Sequence, residues 1–455
     1  MPGPASIGSK HLDAVLWHVD RRIDEAIDRV IATRRSLAAV AERAGTAKFR
    51  ASAEWFVEEL RGIGFSASVR DTLGRPIAVG HDRSSPGLSV LFCGHYEMLL
   101  SDRLRGHRGD EAATSIAAHA LQQCGADQLV QLMAFVEACR AWKTVTGRLP
   151  TAVSLLVEGE SFPGLAALRS FLHMYADEFE ADIGLAPAAR IGDCAVPAIN
   201  SMVRGVCCEE FTIAADSDQI GGLGGAAAAD PTLILAHILS DLHDPSGRVT
   251  IPGFYAGIDA PLKPADSRDE APSGTGDPRH SQHTNVLGTE REGEAMWVGP
   301  ACEIDSVIGT RTVGGRLVTS PRAFAKLSFH LVCDQNPAVV SQAFRQFARA
   351  RVPAGARIEF GSGISAPPVR FSASDPAFLK VRQALTVEWG RQTVFACGDA
   401  APAIHAMREA LGMEVIVTSF PQREEVCRSP REGPELANYR LDVRSWARIL
   451  DALAQ

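Results

Sequence analysis

The chain has 455 residues, 46% hydrophobic and 22% charged, with a formal net charge of -8 and a mean hydropathy of +0.00. Length and balance describe a globular chain with room for two or three domains and a large core. Lys and Arg are scattered rather than clustered, which argues against a nucleic-acid partner, and no apolar run is long enough to cross a bilayer, which argues against a membrane one. The N-terminal stretch MPGPASIGSKHLDAV has no apolar core of signal-peptide length. Ten cysteines without CxxC pairs suit buried, reduced thiols and a cytoplasmic location.

Apolar positions at helical spacing predict a helix over 10–44, with Val15, Ile23, Ile27, Val30 and Leu37 inward, and a second over 51–62. Strands follow over 66–69 and 75–80. The run Leu88, Val90, Leu91, Phe92, bounded by Pro86-Gly87 and Gly94, predicts a strand buried on both faces of a parallel sheet. It delivers His95, one spacer and Glu97 at its carboxyl end, where open α/β sheets bind ligands. The spacing lets an imidazole bind a metal while a carboxylate orients it. A helix over 115–143, a buried strand over 152–157 ending in Glu158-Gly159-Glu160, a helix over 164–175 and a strand over 181–185 continue the α/β alternation.

At Arg204-Gly205 the character changes. A strand over 206–214, a helix over 232–242, a Pro-, Gly-, Ser- and Asp-rich excursion over 244–300, a strand over 325–332, a helix over 337–350 and a strand over 357–361 suit a two-layer domain inserted into the first. From Asp375 the α/β pattern resumes, with helices over 376–389, 403–411 and 442–454, a turn over 397–402 and a strand over 415–417.

These landmarks, in order, are GHYE, VEGE, Arg204-Gly205, SDQIGGLGGAAAADP, HDPSGRVTIPGFY, PRAFAKLSFHLVCDQNP and CRSPRE. Together they resemble the dizinc amidohydrolases that include carnosinase-type dipeptidases, aminoacylases and succinyl-diaminopimelate desuccinylases, with the dipeptidase branch the best fit. The resemblance runs through almost the whole chain. It implies an α/β, zinc-aminopeptidase-like catalytic domain in two parts, 1–206 and 369–455, split by an α+β lid over 207–368 through which the chain forms a homodimer.

The resemblance also implies two zinc ions held by a His, a bridging Asp, a Glu, a second Asp and a late His, with a neighbouring Glu as general base. His95 matches the first ligand, and Glu97 stands where the family has an orienting Asp. Glu111 falls at the bridging position, with Asp110 and Ala112 as the neighbouring registers. The glutamate motif is short, so Glu160 fills at most one of two roles. The second Asp falls on Ala188, and the late His on Arg428 beside Cys427. Arg is permanently cationic and cannot ligate zinc. The lid His falls on Ile220, the carboxylate-gripping Arg on His330, and the glycine loop that holds a substrate's C-terminus becomes Gly398-Asp399-Ala400.

The expectation is therefore a carnosinase-like scaffold with a degenerate metal site. It binds and transforms an amino-acid-derived or amide small molecule without two metals. His95, Glu97 and Glu160 are the acid/base candidates, and Arg428 stabilises negative charge. His330, Asp399, Glu158 and Cys427 face the substrate. No cofactor is expected; the alternative is one zinc or manganese ion on His95, Glu111 and Glu160. Two further readings stay open, a non-catalytic pseudo-hydrolase that serves as scaffold or binding protein, and a residual metal-dependent dipeptidase.

Overall fold

The computed structural model describes residues 11–41, 47–96, 111–159, 165–188, 196–215, 230–256, 258, 299–313, 316–372, 374–398, 400–420 and 438–455, with backbone alone for 38–41, 111–127, 310–313, 316–320, 394–397 and 402. The chain divides into a first unit, 1–201 with 371–455, and a second, 202–370.

In the first unit the sequence begins with α1 (Leu12–Ala41) and α2 (Ala47–Gly62). It then enters the sheet through β1 (Ser66–Arg70), β2 (Ile77–Asp82) and β3 (Ser89–His95). α3 (Glu111–Thr146), β4 (Ala152–Glu158), α4 (Leu165–Met174), α5 (Ala176–Phe179) and β5 (Ile183–Pro187) follow. β6 (Ala198–Val203) leads out of the unit. After residue 371 come α8 (Pro376–Trp389), β13 (Val394–Gly398), α9 (Pro402–Leu411), β14 (Val415–Ser419) and α10 (Tyr439–Ala454). Among the described residues the strand order is β1-β2-β4-β3-β5-β14-β6, with β13 also on β6. The middle of the sheet, β4-β3-β5-β14, is mutually parallel.

Burial explains why β3 lies in the middle. Val90, Leu91 and Phe92 are fully buried, as a strand covered by helices on both faces requires. On one face Phe92 stacks on Phe135 of α3 with centroids 3.7 Å apart, and Trp446 of α10 meets both rings edge-on at 5.3 and 5.4 Å. The opposite face meets α9, where Gly184 of β5 leaves room only for Met407. A Cβ on Gly94 would lie 2.6 Å from Leu132 of α3, so the glycine before His95 is a packing requirement.

The second unit is a five-stranded sheet, β10-β7-β9-β8 with β11 on β7, among the described residues. Its elements are β7 (Gly205–Ala215), α6 (Pro231–Ser240), β8 (Ala301–Val313), β9 (Arg316–Leu331), α7 (Pro337–Arg349), β10 (Ala356–Phe360) and β11 (Ser365–Ala366), followed by β12 (Val369–Arg370). Phe211, Phe329, Phe344, Ile234 and Ile238 form its core between sheet and helices. Asp230 and Asn336 cap α6 and α7, each followed by a proline at the first helical turn, where a missing N–H costs nothing.

Besides the two-residue strands β11 and β12, three strands lie outside the expectation. β6 and β8 are not anticipated, and β13 occupies part of the stretch expected as a turn, because Gly398 and Pro402 dominate the local signal. β9 begins nine residues earlier than 325, through Pro321. The β7 ladder ends at the Ala214–Arg322 pair, and pairing with β8 is interrupted between Ile308 and Thr310. The proline therefore sits at an irregularity, where a missing donor is tolerated. Most of the expected excursion over 244–300 lies outside the described residues.

Candidate functional site

The parallel register sets one row of side chains at the carboxyl ends of the central strands. His95 on β3 is paired with Glu158 on β4. Phe92 and Leu185 form the last β3–β5 pair and Thr418 pairs with Pro187, so Ala188 lies just past the end of β5. Ser419 in turn pairs with Ala198 of β6. Paired residues share a face of the sheet. The pairs Glu158–His95 and Ser419–Ala198 thus form a row at the end of the sheet where α/β folds bind ligands, with Ala188 just past β5.

Within this row, His95 Nδ1 lies 2.8 Å from Glu158 Oε1. The Glu158 side chain is 3% exposed and that of His95 20%. The backbone repeats the link, since Tyr96 N donates to Glu158 O at 2.8 Å. Ala188 is held by its N–H on Thr418 O at 2.8 Å and offers only a methyl group. Cys93, two residues before His95, is no nucleophile: burial, reinforced by the Glu158 charge, pushes its thiol well above the usual range.

Of the other expected site residues, Glu97, Glu160, Asp399, Cys427 and Arg428 lie outside the described residues, as does Ile220. Glu111 is the first residue of α3, described by backbone alone. His330 lies on β9 of the second unit, paired with Val206 and Ala301. Its ring nitrogens are buried without a hydrogen bond, although Nε2 is 3.3 Å from Glu303 Oε2. The contact is close enough for an ion pair and misaligned for a hydrogen bond.

The Glu158–His95 pairing was not anticipated from sequence. Its signal was present: SVLFCGH and AVSLLVE are equal-length apolar runs, each ending in a polar residue, and as parallel neighbours they end level. A second hydrogen-bonded chain was missed as well. His81 Nδ1 lies 2.8 Å from Ser154 Oγ and Nε2 3.1 Å from Glu178 Oε1, with Arg70 on the same carboxylate. Burial lowers the pKa of His81, against the opposing pull of Glu178.

Could these residues hold a metal? Among the described residues no group of three or more His, Cys, Asp or Glu is placed to do so. One imidazole fits. With Nδ1 engaged by a buried carboxylate, His95 would coordinate through Nε2, the arrangement common to metal-ligating histidines. Ala188 does not fit, because a methyl group has no lone pair.

No family model matches the chain. Among curated proteins it is 24% identical over 267 residues to the cysteinylglycine-S-conjugate dipeptidase of Corynebacterium striatum, covering 56% of this chain and 57% of the relative. It is likewise 24% identical over 287 residues to the beta-Ala-His dipeptidase of Rattus norvegicus, covering 60% and 57%. The match thus spans little more than half the length of these relatives. Among solved structures, human carnosine dipeptidase 1 superposes with a TM-score of 0.76 at 19% identity, covering 98% of this chain and 100% of that one. The dipeptidase Dug1p of Saccharomyces cerevisiae gives 0.75 at 17%, covering 97% and 98%. The M20 family metallo-carboxypeptidase Sso-CP2 of Sulfolobus solfataricus gives 0.70 at 18%, covering 92% and 98%.

These comparisons correct one expectation. That the chain needs no cofactor does not stand beside a shared fold whose members include a metallo-carboxypeptidase. No helix among the described residues is long and apolar enough to cross a membrane. Motifs, relatives and architecture agree, and the chain has the fold of the carnosinase-type dipeptidases that its sequence resembles.

Proposed function

We propose that the chain is a metal-dependent amidohydrolase of dipeptidase type, acting on a small amino-acid-derived amide through a centre reduced from the family's pair of ions. The observation that carries this reading is the row at the strand ends. It braces the imidazole of His95 on Glu158, and motif order assigns the second ligand's position to Ala188, a methyl group.

On this reading His95 holds the ion, with Glu111 and Glu160 as its carboxylate partners. A divalent ion there would supply Lewis acidity toward the amide carbonyl. The remaining chemistry falls to the chain. Glu97 moves the proton between water and the leaving nitrogen. The Arg428 guanidinium stabilises the negative charge that builds on the carbonyl oxygen. Asp399 and Cys427 select the substrate, and Asp399 would disfavour a ligand carboxylate and favour an amine or amide.

The test is a panel of dipeptides and N-acyl amino acids assayed on protein loaded with Zn²⁺ or Mn²⁺, with and without chelator. Turnover that chelation abolishes and metal restores supports the reading. Turnover indifferent to chelation, or no metal uptake at all, removes it.

We also infer that the protein is a cytoplasmic homodimer joined through the second unit. Among the described residues β8 is an edge strand, and Ile304, Val307 and Ile308 on it are exposed. Open apolar edges are normally covered. Light scattering that returns the mass of one chain at micromolar concentration would refute it.

A further inference from the structure

We infer that Glu158, and not Glu97, is the residue that positions His95. This deepens the proposed function and rests on that reading only for its metal arm. The sequence suggests Glu97 as the orienting carboxylate, by spacing alone. The structure supplies another carboxylate by register. Glu158 is the cross-strand partner of His95, and its Oε1 lies 2.8 Å from Nδ1.

The geometry gives Glu158 little freedom to leave. Its side chain is 3% exposed, and a buried carboxylate that lost its donor would carry a heavy desolvation cost. Its own backbone carbonyl accepts from Tyr96 N, which ties the exits of β3 and β4 together. The next residue, Gly159, is wedged against Tyr96, with a built Cβ only 2.4 Å from the ring. Gly159 therefore cannot shift toward Tyr96 without displacing a buried aromatic side chain.

The chemical consequence is a choice of tautomer. In the tautomer that carries its proton on Nδ1, His95 donates to Glu158 Oε1 and leaves the lone pair on Nε2. That is the form a metal ion or a proton donor needs. Glu158 touches His95 and not the reacting atoms, so it is a positioning residue.

The direct test is nitrogen-15 NMR of imidazole-labelled, metal-free protein, with the His95 signals identified by their loss in His95→Gln. The inference expects a protonated Nδ1 and an unprotonated Nε2 in the native chain. In Glu158→Ala the proton should redistribute toward Nε2, and in Glu97→Ala it should stay on Nδ1. Glu158→Gln, nearly isosteric, serves if the alanine variant does not fold; its amide can donate as well as accept, so the two tautomers should become mixed. Zn²⁺ titration of the same proteins should show roughly 10- to 100-fold weaker binding in Glu158→Ala, with Glu97→Ala close to native. A native-like tautomer in both Glu158 variants, or a shift in Glu97→Ala, overturns the inference. If the native protein takes up no Zn²⁺ while the tautomer still follows Glu158, the positioning role stands and the metal reading falls.

Discussion

Gly159→Ala probes the scaffold of the site without touching a polar group. A methyl at this position would lie 2.4 and 2.5 Å from two ring carbons of Tyr96 and 2.8 Å from its hydroxyl. Carbon pairs normally rest at about 3.5–4.0 Å, so the ring must retreat by roughly an ångström. It has nowhere to go. Tyr96 is 2% exposed, its hydroxyl donates to Pro76 O at 2.9 Å, and its ring sits beside Phe56. Overpacking of this kind costs about 1–3 kcal/mol. Loss of the hydroxyl's bond adds about 1 kcal/mol, and the stiffer unfolded chain returns about 0.4–1 kcal/mol. The net destabilisation, about 1–4 kcal/mol, corresponds to a melting temperature lower by roughly 2 to 6 °C for a unit of this size. Gly62→Ala is the control, because nothing lies within 4 Å of its built Cβ; it should leave the melting temperature unchanged or raise it. Differential scanning calorimetry reads both. A Gly159→Ala variant that melts within a degree of the native chain would refute the packing argument, and with it the claim that Gly159 is pinned against Tyr96.

Phe92→Ala removes the ring between Phe135 and Trp446 and should cost about 3–5 kcal/mol in chemical denaturation; a loss below about 1 kcal/mol would mean the three-ring cluster is not the core of the first unit. For Asp82, burial raises the carboxyl pKa, but hydrogen bonds from Lys143 and Ser84 outweigh it and leave the folded value below 3.8. A depressed folded pKa contributes stability in full above the unfolded value and loses it as pH falls through the folded one. The gap in stability between native and Asp82→Asn should thus be widest near neutral pH and close below about pH 4; a gap independent of pH refutes the ion pair. Cys93, Cys139, Cys207, Cys208, Cys302 and Cys333 are all buried. Burial pushes Cys207 up to about 12 and raises the others for which a shift is resolved, Cys93, Cys139, Cys208 and Cys302. These thiols should escape alkylation in the native protein and react only on unfolding, as peptide mapping would show; rapid native labelling of Cys93 would contradict the strand assignment.

Much of the fold was legible because its signals are local and agree. The β3 run is apolar on both faces and bounded by turn residues, and the helices beginning at Pro337 and Pro376 carry an Asn or Asp cap followed by proline. What was missed depends on partners that periodicity does not name. β13 is short and ends in the glycine that reads as a turn. β9 runs through Pro321, which only the pairing pattern with β7 and β8 accommodates. The site divides the same way. His95 was readable as a polar residue ending a buried strand. Its tie to Glu158 was not, because it lies across a ladder between residues 63 positions apart. The reading of Ala188 as a lost ligand rests on motif order alone, since the β3–β5 register ends at the Phe92–Leu185 pair. The cofactor expectation failed for a different reason: counting lost ligands is not the same as showing that those remaining cannot hold an ion.

Metal content measured by mass spectrometry, on protein purified without added metal and then equilibrated with Zn²⁺ and desalted, tests the central claim most directly. The account predicts about one ion per chain, lost in His95→Ala. A full pair of ions on every chain, or an ion count that His95→Ala leaves untouched, would contradict it.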